Sequence, residues 1–182
     1  MRPAGRLTTP RLLLRPFRED EAPAVFGYAG RPDFFRYLDH APLRLRQDYQ
    51  LADAEEHLLR LRELDAQGWP HWAIIPHAVG RPVGAVRFQP AHDDSGLPEL
   101  GYGLAPAAWG HGWASEAAAA VLAWCAPDTP TVVARCHPEN AASRRLLERL
   151  GFAAMGPDAN GRLAFCWTAP NLNPGPTSPG TA

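Results

Sequence analysis

No lysine occurs anywhere in this 182-residue chain, so all 18 basic residues are arginine. No lysine amine can therefore serve as a base or accept a transferred group. The bias accompanies 20 prolines and 16 glycines, as expected of a GC-rich coding sequence. Cysteine is also scarce. The three present, Cys125, Cys136 and Cys166, are far apart and odd in number. No pair has CxxC spacing and no Cys/His cluster has zinc spacing, so neither a metal site nor a disulfide framework is expected. A reducing cytosol suits that pattern, and a cytoplasmic location is the expectation. No apolar run reaches the roughly 18 residues a membrane span needs, and the N-terminus carries no apolar signal segment. The formal net charge of -1 gives no excess of cations to draw in nucleic acid or a membrane surface.

What remains is a chain with 46% hydrophobic residues, enough to build one core. Residues 1–8 read as a flexible leader, 9–169 as one domain, and 170–182, rich in Pro, Gly, Ser, Thr and Asn, as a disordered tail. Arg11–Arg15 is a short leucine-rich run between Pro10 and Pro16, which favours a strand. Glu19, Asp20 and Glu21 open a helical stretch to about Tyr28, acids matching the positive end of the dipole. Asp48–Gln67 is the clearest helix: Leu51, Ala54, Leu58, Leu61 and Leu64 recur at three and four residues, and Gly68 stops it. Trp72–Ile75, Val83–Phe88 and Glu99–Leu104 read as three successive strands, hence an antiparallel meander. Ala114–Trp124 is an alanine-rich helix, Thr131–Cys136 a β-branched strand, Asn140–Leu150 a helix closed by Gly151, and Leu163–Thr168 a last strand. The strand–helix–strand step through Ala114–Trp124 requires a crossover and a parallel pair. The fold class is therefore α/β, a mixed and mostly antiparallel sheet with helices on both faces.

Trp109-Gly110-His111-Gly112-Trp113-Ala114 joins a strand to a helix. Its two glycines permit unusual dihedrals and close backbone approach. The helix behind them offers unpaired N–H groups and a positive dipole end, a site for phosphate or pyrophosphate. Ser115 and Glu116 are candidates to cap the same turn. Read alone, the motif is equally a tight turn that binds nothing.

The run Glu99–Ala117, ELGYGLAPAAWGHGWASEA, resembles the GNAT acyltransferase family, and within it the branch of amino-terminal acetyltransferases acting on ribosomal proteins. The matching residues are Gly101, Tyr102, Leu104, Pro106, Trp109, Gly110, Gly112, Ala114, Glu116 and Ala117. Trp109 stands where the general family pattern has Gln or Arg. A second block, His137-Pro138-Glu139-Asn140 through Ser143 to Gly151-Phe152, is similar to the same branch, as are Thr9–Arg15 and Val83-Gly84. The resemblance implies a GNAT-like domain that uses acetyl-CoA as co-substrate, needs no metal, and transfers acetyl to a primary amine: a protein N-terminus or a small molecule. A monomer or homodimer is implied. The competing reading is a non-catalytic domain that binds or senses acyl-CoA.

By the same resemblance, the strand matching Glu99–Leu104 carries a bulge and splays from Thr131–Cys136, with the pantetheine arm in the gap. Leu104 pairs with that arm through its backbone and polarises the thioester carbonyl. The N–H groups of Gly110, His111, Gly112, Trp113 and Ala114 hold the pyrophosphate, behind Trp109, with His111 as an added phosphate contact or a plain loop residue. Asn140 bonds the pantetheine arm, caps the helix, or divides donor and acceptor between both tasks. Ser143 lies near the coenzyme thiol, and Arg145, with Arg144, reaches toward phosphate or is simply solvated. For catalysis, Glu99 is the preferred base and Ser143 the donor to the leaving thiolate. Asp93 and Asp94 are substitute bases or turn residues. The family's usual tyrosine acid on the last helix is replaced by Leu147, and Ala153–Thr168 leaves little room for a two-stranded hairpin. Cys136 is read as a small buried residue before it is read as a nucleophile. The acceptor is expected against Asp33–Ala41, the Asp48–Gln67 helix and the final hairpin. There Asp33, Asp39, Glu55 and Glu56 would attract a cationic amine, and Phe34, Phe35, Tyr37, Trp69 and Trp72 either line the site or pack the core.

Overall fold

The structure is a computed structural model and describes residues 1–37, 45, 47–91, 93 and 95–170. Its strands are β1 (Leu7–Thr8), β2 (Leu12–Arg15), β3 (His71–Pro76), β4 (Gly84–Pro90), β5 (Pro98–Leu104), β6 (Thr131–Cys136), β7 (Ala153–Pro157) and β8 (Leu163–Thr168). The helices are α1 (Ala22–Ala29), α2 (Leu51–Ala66), α3 (Trp113–Cys125) and α4 (Ala141–Arg149). The eight strands form one sheet in the order β1-β2-β3-β4-β5-β6-β8-β7. All neighbours pair antiparallel except β5 and β6. That parallel pair follows from the α3 crossover, since a strand can return in the same direction only over a long connection.

The alternation of side chains sorts the sheet into two faces. Trp72 and Ile74 of β3, Val86 and Phe88 of β4, Leu100 and Leu104 of β5, and Val132 and Ala134 of β6 pack beneath α3 and α4. The alanine-rich α3 lies close to the sheet because Ala117 and Ala118, both fully buried, hold the backbone near it. On the opposite side, Ala54, Leu58 and Leu61 of α2 meet Val25, Tyr28 and Ala29 of α1. β3 is buried along its whole length, as befits a strand covered on both faces.

Three sequence expectations need correction. Residues 1–8 are tied down rather than a free leader. β1 pairs with β2, the Ala4 amide donates to Asp65 at 2.8 Å, and the Trp72 indole donates to the Gly5 carbonyl at 2.8 Å. The final hairpin does form: a turn at Asp158–Arg162, closed by the Asp158 amide donating to the Arg162 carbonyl at 2.8 Å, is tight enough to leave room for β7 and β8. A bulge does occur, between Ala154 and Gly156 of β7. The expected bulge on β5 is not seen toward β4, where the register runs unbroken from Gly84 opposite Leu104 to Pro90 opposite Pro98. The expected tail, 171–182, lies outside the described residues, as do Asp39, Ala41 and Asp94.

Candidate active site

β5 and β6 are joined by a single register pair, Glu99 opposite Val133. Beyond it toward Leu104 the two strands part. The Ala105 amide donates to the Val83 carbonyl at 2.7 Å. This makes Gly84 and Leu104 a non-hydrogen-bonded pair, so the N–H and C=O of Leu104, and of Tyr102 two residues earlier, point away from β4 and into the gap. The Leu104 carbonyl is already used: it accepts from the Trp109 indole at 3.0 Å. Trp109, half exposed, thus ties the mouth of the gap to the loop that follows.

That loop behaves as its glycines require. Gly110 and Gly112 have φ of 80° and 75°, the left-handed region that costs other residues about 1–2 kcal/mol. Gly112 is the N-cap of α3. The first amide to enter the helical ladder is that of Glu116, donating to the Gly112 carbonyl at 3.1 Å. Among the described residues, no backbone bond engages the N–H groups of residues 110–115. They remain a cluster of donors at a positive helix end.

A clamp that the sequence reading did not foresee braces this loop. Glu116 reaches back rather than capping its own turn. It accepts from the Thr9 hydroxyl at 2.6 Å, the Arg11 amide at 3.0 Å and the Arg11 Nε at 2.6 Å. Arg11 in turn donates to the His111 carbonyl at 2.9 Å. Burial alone would raise the Glu116 carboxyl, but these donors outweigh it and hold it below its ordinary value. The His111 ring stacks on Trp113, centroids 4.5 Å apart. Ser115 does not cap either; its hydroxyl accepts from Arg149 at 3.2 Å.

Across the gap stands the start of α4. The Asn140 side-chain oxygen accepts from the Ser143 amide at 3.0 Å, so the acceptor end of Asn140 caps the helix and its amide end carries no hydrogen bond among the described residues. The Ser143 hydroxyl lies 2.7 Å from the Tyr102 hydroxyl. Burial drives the Tyr102 phenol well above its ordinary value, so it stays protonated. Leu147, one turn further, is fully buried in the core and faces no polar partner. Arg145 is exposed, and Arg144 reaches Glu148 at 3.9 Å. Burial raises the Cys136 thiol, which fits packing rather than nucleophilic chemistry.

Glu99 is buried at the closed end of the gap but is not a free carboxylate. Its Oε2 accepts from Arg135 at 2.6 Å. Arg135 also binds Asp93 and, at 3.3 Å, Asp158. Of the acidic residues expected near the acceptor, Asp33, Glu55 and Glu56 are among the described residues and Asp39 is not. Glu55 and Glu56 are exposed on the outer side of α2, and Asp33 is exposed as well. Trp72 belongs to the core. Phe34 lies over Gly103, where an added Cβ would sit 3.5 Å from its ring. Tyr37 approaches the His137 ring at 5.6 Å.

The GNAT acetyltransferase domain pattern matches residues 11–153 of the chain. The chain is 27% identical over 153 residues to the uncharacterized N-acetyltransferase p20 of Bacillus licheniformis, covering 82% of this chain and 83% of that protein. Its fold is similar to that of RimL, a ribosomal L7/L12 alpha-N-protein acetyltransferase in complex with coenzyme A. That likeness has a TM-score of 0.76 at 19% identity over 90% of this chain and 98% of that one. It is equally similar to Mycobacterium smegmatis RimJ in complex with CoA-disulfide, with a TM-score of 0.75 at 22% identity over 95% and 92% of the two chains. The chain belongs to the GNAT acetyltransferase family. It is an acetyl-CoA-dependent N-acetyltransferase, with acetyl-CoA as co-substrate and an amine as acceptor. No helix among the described residues is long and apolar enough to cross a membrane.

Proposed function

We propose that the chain acetylates a primary amine by direct attack on the thioester, with the coenzyme arm lying in the gap between β5 and β6. The observation that carries this reading is the parting of those strands beside a glycine loop whose amides are unengaged. The N–H groups of Gly110 through Ala114 bind the pyrophosphate. The arm then runs inward past Leu104 toward the closing pair Glu99–Val133, and the free amide end of Asn140 bonds it. The N–H groups of Leu104 and Tyr102 both face the arm, and the deeper one stands where a thioester oxyanion develops.

The amine nitrogen attacks the thioester carbon and the carbon–sulfur bond breaks. Ser143, backed by the Tyr102 hydroxyl, gives a proton to the departing thiolate. The proton lost by the amine passes through water toward Oε1 of Glu99, the oxygen not bonded to Arg135. Leu147 supplies no proton; Ser143 on the same helix takes that role, with the Tyr102 hydroxyl of β5 behind it. Cytosolic action on a soluble amine, without a metal, completes the reading.

Calorimetric titration of acetyl-CoA into the wild-type protein and into Gly112→Trp tests the coenzyme site. Micromolar binding that the variant loses supports it. No binding by the folded wild-type protein refutes it. Mass-spectrometric detection of acetylated amine then tests transfer, and binding without any product would leave a coenzyme-binding domain.

A further inference from the structure

One row of the sheet, on the face turned toward α1 and α2, runs His71–Arg87–Gly101 across β3, β4 and β5. The next row on the same face is Ala73–Ala85–Gly103, all small. Gly101 leaves the space in which the Arg87 side chain lies: a Cβ there would stand 3.4 Å from the Arg87 Nε. That Nε donates to the Gln89 side-chain oxygen at 2.9 Å, a neutral partner. Among the described residues Arg87 has no carboxylate hydrogen-bonded to it. Its acidic neighbour is Glu99, and Glu99 is committed to Arg135.

Besides Glu99, two histidines stand near Arg87. His57 on α2 feels Arg87 and Arg60, and His71 feels Arg87 and His57. His71 is 3% exposed. Neither of its ring nitrogens has a well-formed hydrogen bond, and the Trp69 backbone supplies only a marginal one. Burial, helped by the nearby arginines, lowers both histidines to about 4, so both are neutral near pH 7 and each keeps one N–H to donate. A partly buried guanidinium without a carboxylate is an expensive arrangement unless an anion joins it.

We propose that Arg87, flanked by His57 and His71, binds a carboxylate of the acceptor, so that the acceptor is a small amine bearing an anionic group. This rests on the acetyl-transfer reading for the position of the thioester. Gly101 directly precedes Tyr102, whose backbone faces the coenzyme gap. Arg87 stands one strand from Gly101, roughly 5 Å away. An amine in the gap and a carboxylate at Arg87 are thus spaced as in an amino acid or a short acidic peptide. Oε1 of Glu99, reached through water, serves the amine end and Arg87 the anionic end.

The test uses product mimics that differ only in the carboxylate. CoA-saturated protein is titrated with N-acetylglycine against N-acetylglycinamide, and with the same pairs made from alanine, aspartate and glutamate. At least one acid is expected to bind about tenfold or more tightly than its amide, the scale of a charge-assisted hydrogen bond. Arg87→Gln should erase that preference while leaving CoA affinity unchanged, and Arg87→Lys should keep part of it. Pairs that all bind equally, acids that do not bind, or a preference that survives Arg87→Gln would each overturn the subsite. The free amino acids and their amides are then offered with acetyl-CoA. Acid-selective binding without acetyl transfer supports the subsite and defeats the placement of the reacting amine in the gap beside it; transfer to amides and acids alike supports that placement and defeats the subsite.

Discussion

The Tyr102 hydroxyl on β5 lies 2.7 Å from the Ser143 hydroxyl on α4, bridging the two elements that border the coenzyme gap. Two adjoining hydroxyls form a short path along which a proton can be supplied to a thiolate and replaced. Ser143→Ala should lower kcat by about 100-fold, the low end of the range for loss of a general acid because water can replace it in part, with little change in the KM for acetyl-CoA. Tyr102→Phe should lower kcat less, because Ser143 remains. Steady-state kinetics with a thiol-release readout checks both. An unchanged kcat in the double variant would remove this pair from the mechanism.

The Glu116 clamp ties the opening strand to the glycine loop through Thr9 and Arg11. Glu116→Gln should cost about 1–2 kcal/mol of stability, since charge-assisted bonds to a partly exposed partner are replaced by weaker ones. It should also weaken acetyl-CoA binding, because Arg11 then loses its hold on the His111 carbonyl. Chemical denaturation and calorimetry on the same preparation separate the two effects.

Gly84 looks unremarkable in sequence, yet a Cβ there would sit 2.2 Å from the Gly103 carbonyl oxygen and 2.6 Å from a Leu104 methyl. Backbone cannot rotate out of the way as a side chain can. Gly84→Ala should therefore destabilise the fold by about 1–3 kcal/mol or more and disturb the Leu104 end of the gap. A melting temperature equal to wild type would show that β4 and β5 separate more easily than their register suggests.

His71 and His57 are held neutral in the folded state, with values lowered to about 4 from an ordinary 6.5. Between those two values the unfolded chain binds more protons than the folded one, so stability falls as pH drops from 6.5 toward 4. Glu116 and Glu21, whose folded values are depressed, add a further loss below the ordinary carboxylate value. His71→Gln should flatten the upper part of that decline and leave the lower part in place. Denaturant unfolding at a series of pH values is the measurement, and an identical slope in the variant would show that His71 does not contribute.

The periodicities were local, and so were legible. The three-and-four spacing of α2, the meander of β3, β4 and β5, the alanine-rich α3 and the paired glycines ahead of it all arise from neighbours in sequence. Gly110 and Gly112 take the positive φ that their placement between strand and helix demands. The same holds for Asn140, which caps α4 as its residue type favours.

Partnerships between distant residues were not legible. Glu99 reads as a free base until Arg135, 36 residues on, is seen to occupy one of its oxygens. Tyr102 and Ser143 are 41 residues apart, and Glu116 and Arg11 are 105 apart. The row of His71, Arg87 and Gly101 exists only because three strands fall into one register. The sequence by itself determined which elements form, where the glycine loop lies, and the family to which they belong, because local propensity and motif spacing are properties of neighbouring residues. Tertiary structure decided which carboxylates are committed, which hydroxyls meet, and which cation has no carboxylate hydrogen-bonded to it among the described residues, because burial and sheet register bring together side chains that no spacing along the chain connects.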